Sequence, residues 1–218
     1  IFLKSDYAEA YNNLGSTLKE LGRIEDAKAS YLQAIILKPK YAEPNYNLGL
    51  VLQELDKPKE AEASYRQAIF LKSDYAEAYN NLGSTLLQIG KPQEAETCYK
   101  KAIKINPCLA DAYLNLCELM EKLNKLDEGY WVIKKAKDKI FDKKSDLLLY
   151  EALFLYRQKN IKTSIRYINK ISIGSLSEKR KITYLNLKAN LFNDEEDYVN
   201  AFKTFDLMNK KIKNSNEY

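Results

Sequence analysis

The chain has 218 residues, 45% hydrophobic and 30% charged, with a net charge of +5; that is apolar material enough for a core and too much for wholesale disorder. It has no histidine, the commonest general base and metal ligand. Its three cysteines (Cys98, Cys108, Cys117) are odd in number and without paired spacing, which disfavours a disulfide framework and fits a reducing cytoplasm. No apolar run is long enough to cross a bilayer, so no membrane association is expected.

In chain order, the first signal is self-similarity. Residues 1–18 (IFLKSDYAEAYNNLGSTL) recur unchanged at 69–86, an offset of 68, and a diverged copy (AEPNYNLG) lies halfway, at 42–49. The unit is therefore 34 residues. Ile1–Lys4 match Ile69–Lys72 and read, within residues 1–7, as the tail of a second helix whose first helix lies upstream of residue 1. Units follow at 8–41, 42–75 and 76–109. In the first, Tyr11, Leu14, Gly15 and Leu18 share one helix face, Gly22 marks a turn, and Ala27, Tyr31 and Ala34 form a second stripe closed by Pro39. The small Gly15 and Ala27 let the two helices approach, with Tyr31 as the wedge beside them. Pro58 and Pro92 sit just inside second helices, where a missing N–H costs nothing.

Beyond Pro107 only a skeleton persists: a small residue followed by another twelve positions later. Gly15/Ala27, Gly49/Ala61 and Gly83/Ala95 continue as Cys117/Gly129, Ala152/Ser164 and Ala189/Ala201. This predicts units at 110–144, 145–181 and 182–218, the extra length of the fifth lying in the Ser/Gly loop 172–177. Lys210–Tyr218 reads as a helix end running into a linker.

The set Tyr11, Leu14, Gly15, Leu18, Ala27, Tyr31 and Pro39, repeated as Tyr79, Leu82, Gly83, Leu86, Ala95, Tyr99 and Pro107, resembles the tetratricopeptide repeat (TPR). The resemblance implies an all-α, right-handed α-solenoid of antiparallel helix pairs, and a groove lined by the second, fifth, sixth, ninth and twelfth positions of each unit. At the sixth stand Asn13, Asn47, Asn81 and Asn115, with Asn12 and Asn80 beside them. Over residues 8–121 this looks like the asparagine ladder of the O-linked N-acetylglucosamine transferase superhelix. Primary amides, donor and acceptor at once, can hold the backbone of an extended peptide whatever its sequence. Glu9, Glu43 and Glu77 occupy the second position, either as an acidic rim or as ordinary first-turn acids favoured by the helix dipole. The Lys and Asn of a chaperone-type carboxylate clamp are absent.

Other candidates are weaker. Glu94, Glu96 and Asp194–Asp197 read as helix-start or loop charges, Cys117 as a small buried filler, and Trp131 as packing rather than a stacking platform. No phosphate loop or C-x-x-C occurs, so neither catalysis nor a cofactor or metal is expected. The first reading is a scaffold binding a protein or peptide. The alternative is the docking arm of a larger enzyme: Asn115–Lys137 looks like the degenerate part of bacterial TPR–sulfotransferase fusions, and glycosyltransferase fusions also fit. Residues 108–218 carry 21 Lys/Arg against 16 Asp/Glu, too diffuse a bias to favour nucleic acid. Self-association through the N-terminal repeat is a further expectation.

Overall fold

The computed structural model describes residues 2–140 and 143–215, and side chains from 7 to 213. Among the described residues there are twelve α-helices, one 3-10 turn and no strand. First and second helices alternate: α1 (Phe2–Glu20) and α2 (Ile24–Leu37), α3 (Ala42–Glu54) and α4 (Pro58–Leu71), α5 (Ala76–Gln88) and α6 (Pro92–Ile105), α7 (Ala110–Lys122) and α8 (Leu126–Lys137), α9 (Lys144–Arg157) and α10 (Ile161–Ile168), α11 (Glu178–Asp194) and α12 (Tyr198–Ser215). The chain divides into two compact units, residues 1–115 and 116–218.

One backbone device ends every first helix. Gly22, Asp56, Gly90, Asn124, Lys159 and Glu196 all have φ between +54° and +79°. Each N–H bonds back to the third residue before it and the next N–H to the fifth before that one, as in Gly22 to Lys19 and Arg23 to Leu18, or Lys159 to Tyr156 and Asn160 to Leu155. This pair satisfies carbonyls that the helix end would orphan. It recurs at intervals of 34 residues, then 35 and 37, so the hairpin survives where its sequence marks have gone. Pro58 and Pro92 open α4 and α6 at the first turn.

The twelve skeleton residues are all buried. In the first unit the reason is steric. A Cβ at Gly15, Gly49 or Gly83 would lie 2.6, 2.5 and 2.6 Å from the ring of Tyr31, Tyr65 and Tyr99 respectively. Those rings are at most 1% exposed and fill the space between the helices of their own pair. In the second unit Gly129 accommodates Phe154, and Ser164 Oγ donates to the Ala152 carbonyl across α9 and α10 at 2.7 Å. The 3-10 turn Ile173–Ser175 lies in the Ser/Gly loop, and Leu176 beside it joins a core with Leu149, Ile168, Leu185 and Leu191.

Three sequence expectations change. Ile1–Lys4 were read as the tail of a separate helix, yet α1 runs unbroken from Phe2 through Asp6 to Glu20, whereas the identical 69–86 breaks at Lys72–Tyr75. Trp131 does not pack: it is 57% exposed, with the Lys135 ammonium 3.9 Å from its ring centroid. Lys210–Ser215 continue α12 as helix, and residues 216–218 lie outside the described ones. No helix among the described residues is long and apolar enough to cross a membrane.

Candidate functional site

The asparagines predicted to line a groove share the first-helix face of the first unit, and the structure shows what holds them. Asn47 Nδ2 donates to Asn12 Oδ1 at 3.0 Å, Asn81 Nδ2 to the Tyr46 hydroxyl at 3.1 Å, and Asn115 Nδ2 to Asn80 Oδ1 at 3.0 Å. Each bond spans 35 residues, one repeat plus one position, so the sixth residue of one unit is stapled to the fifth of the unit before. Asn12 and Asn80 are accordingly buried, at 8% and 7% exposure. Each accepts a hydrogen bond inside the array. Asn80 Nδ2 also donates to Asn81 Oδ1 at 3.2 Å, so with its own donation to Tyr46 the Asn81 amide is committed on both edges. Asn13 is exposed, while Asn47 and Asn115 are half-buried with a second N–H and a carbonyl not used by the staple.

Where Asn gives way to Tyr46, an aromatic group takes over. The Tyr46 ring lies 4.8 Å from that of Tyr75 and 5.9 Å from that of Tyr65. Burial, then the neighbouring Glu77 carboxylate, push the Tyr46 hydroxyl above its ordinary pKa against the opposing bond from Asn81. Tyr65 and Tyr75 are raised as well, chiefly by burial. All three stay neutral and available for hydrogen bonding. Serine or glutamine meets the wedge tyrosines: Ser16 and Ser84 lie 3.2 and 3.1 Å from the Tyr31 and Tyr99 hydroxyls, and the Tyr65 hydroxyl donates to Gln53.

The second-position acids differ in their surroundings. Glu9 accepts from Lys38 at 3.2 Å, and that ammonium also lies 4.8 Å from the Tyr41 ring centroid. Lys72 repeats the cation–ring contact over Tyr75 at 4.6 Å. Glu43 is half-buried and Glu77 exposed. Of the cysteines, Cys98 and Cys117 are buried and Cys108 is exposed, all free. No group of three His, Cys, Asp or Glu among the described residues could hold a metal ion.

Sequence models described as Tetratricopeptide repeat match residues 42–75 and 76–107, and one described as TPR repeat matches 15–56. With the paired helices and the small-residue skeleton, this decides what that stretch is. Residues 15–107 are tetratricopeptide repeats. No curated protein matches it. Solved structures agree on the fold. That from a functional characterisation of Pseudomonas aeruginosa pilF superposes with a TM-score of 0.76 at 23% identity, over 92% of this chain and 90% of that one. YrrB, a TPR protein with an unusual peptide-binding site, gives 0.62 at 17%, over 90% of each chain. The first TPR of Spaghetti (RPAP3), bound to the HSP90 peptide SRMEEVD, gives 0.54 at 22%, over 55% of this chain and 95% of that one.

In the second unit the asparagine row ends, with Tyr150 and Leu187 in the equivalent places, both buried. Ion pairs take over the first-helix face: Glu118 accepts from Lys179 at 2.7 Å and Lys122 at 2.9 Å, and Arg157 meets Glu121 at 3.1 Å. Burial pushes the Glu118 carboxyl up, but the two lysines outweigh it and hold the pKa below the usual range. Arg180 pairs with the buried Asp146 at 3.5 Å. Sequence reasoning missed the staples, although the 35-residue spacing of Asn12 and Asn47 and of Asn80 and Asn115 was there to be read. The ion pairs had no such signal, since charges on helices are ordinarily solvated.

Proposed function

We propose that this TPR array is a protein-interaction scaffold whose first-helix face, over residues 8–121, holds an extended segment of a partner protein. The observation that carries the reading is the stapled asparagine row. A flexible surface amide loses rotamer freedom when it grips a ligand, whereas Asn47 and Asn115 have already lost it to Asn12 and Asn80. Each keeps a donor and an acceptor for a peptide backbone, and Asn13 extends the row at its open end. Asn81 acts as support, locked between Tyr46 and Asn80. Glu43 and Glu77 give the rim a negative character suited to a Lys- or Arg-bearing segment, since Glu9 is matched by Lys38. The free cysteines fit a reducing compartment, and the cytoplasm is the location we assign.

The test is the double variant Asn13→Ala/Asn47→Ala against a bound partner peptide, with Glu25→Ala as a control on a second helix. We expect at least a tenfold loss of affinity from the double variant, unchanged helicity, and no effect of the control. Unchanged affinity would sink the ladder.

A second copy is the partner assigned to a different surface. Leu14 on α1 is 46% exposed, whereas its counterparts Leu48 and Leu82, each behind a preceding repeat, are 8% and 2% exposed. Sedimentation of wild type against Leu14→Ser checks this: the wild type should associate with rising concentration and the variant should not.

A further inference from the structure

The second unit contains a recess of about 540 Å³ that the asparagine reading does not use. Its apolar walls are Leu153 and Tyr156 of α9, Ile182 and Leu187 of α11, and Met208 and Ile212 of α12. Leu187 is buried at 2% exposure and forms the floor, while the others are half-buried and line the sides. The polar rim is made by Glu121 with Arg157, Thr183, and the amide pair in which Asn190 donates to Asn186 at 3.2 Å. A concavity of this size, apolar below and sparsely polar above, suits a single bulky side chain with the backbone that bears it.

Charge selects what that segment carries. Glu121 and Arg157 are the charged residues of the recess lining, with Glu118 on the same helix as Glu121 and Glu178 on the same helix as Ile182. Lys122 and Lys179 pair with Glu118, Arg157 with Glu121, and Lys181 and Lys211 with Glu178. Residues 116–218 as a whole carry 21 Lys/Arg against 15 Asp/Glu. Long-range attraction therefore favours an acidic strand.

We propose that this recess is an anchor pocket for one large apolar side chain of an acidic, extended partner segment, with Asn186 and Asn190 meeting its backbone. The inference rests on the scaffold reading above and adds a second, chemically distinct contact to it. Such an anchor gives what an amide row alone lacks, namely a choice of side chain.

The experiment uses fluorescein-labelled probe peptides of alternating Glu and Ser around one central Phe, with Phe→Ala and Glu→Lys analogues. Anisotropy is read at low salt on the wild type and on Ile182→Lys and Met208→Glu, with thermal melts to establish that each variant folds. The expected result is binding of the Phe probe, at least tenfold weaker binding of both analogues, and a matching loss in each recess variant that folds. Asn13→Ala/Asn47→Ala should leave the Phe-to-Ala ratio unchanged. Equal binding of the Phe and Ala probes, or Phe preference retained in both recess variants, overturns the anchor. If the probe then responds only to the asparagine variant, the scaffold reading survives while the anchor falls. Response to neither, or no binding at all, removes the anchor, while the scaffold reading is decided by the Asn13→Ala/Asn47→Ala test on its own partner peptide.

Discussion

Glycine at position 49 is best understood as absence of a Cβ. In a free helix Gly→Ala would gain about 1 kcal/mol. Here the added carbon would sit 2.5 Å from the ring of Tyr65, which is fully buried and fixed through its hydroxyl to Gln53. Overpacking costs about 1–3 kcal/mol, so the sign should reverse. Gly49→Ala is expected to lower stability by about 1–2 kcal/mol in urea unfolding, and a smaller residue at position 65 should recover part of it. The thiols make a second residue-scale test. Burial pushes Cys98 up to about 11 and raises Cys117 further, while Cys108 is exposed. Iodoacetamide at pH 7.5 should label Cys108 alone in the folded protein and all three in urea; rapid labelling of Cys98 without urea would contradict the packing.

Glu62 carries a pH prediction. Partial burial pushes its carboxyl up, but bonds from Arg66 and Lys91 outweigh that and hold it below the usual range. A depressed folded pKa contributes stability above the unfolded value, about 4.3, and that contribution is lost as pH falls through the folded pKa. Glu62→Gln should therefore destabilise at pH 7 and converge with the wild type once pH has fallen through the depressed folded pKa. A gap that persists at low pH would mean that the carboxylate is not the cause.

At the scale of elements, the six left-handed turns decide where first helices stop, yet glycine occupies only two of them. Lys159, with φ of 64° and an exposed side chain, adopts a conformation that costs an L-residue about 1–2 kcal/mol. Lys159→Gly should raise stability by about 0.5–1 kcal/mol in thermal melts, after allowing for the chain entropy of glycine. Identical sequence does not always give an identical element. At 71–75 the run LKSDY is a turn because Tyr75 packs on Tyr46 at 4.8 Å and Lys72 caps that ring. At 3–7 the same run continues a helix, and Tyr7 is 57% exposed. With serine rather than proline after the lysine, nothing covalent forces the break, and packing settles it. Local pattern therefore made the hairpins legible, since skeleton pairs such as Cys117/Gly129 are a steric requirement written in residue size. The boundary at residues 1–7 was not legible, because its determinant is a tertiary contact.

At the scale of the molecule, each of the two units carries a different chemistry on its first helices: stapled amides in one, ion pairs around an apolar recess in the other. The asparagines were visible in the sequence as a row, but not their partners: Asn12 and Asn80 are the buried acceptors of two of the three staples. The recess was invisible, because Leu153, Ile182 and Met208 look like any core residues until the helices are placed. The central claim is that a partner lies along the first helices. Amide hydrogen exchange with and without a bound partner peptide tests it directly. The account predicts new protection in α3 and α5 with none in α2, α4 or α6; protection confined to those second helices would contradict it.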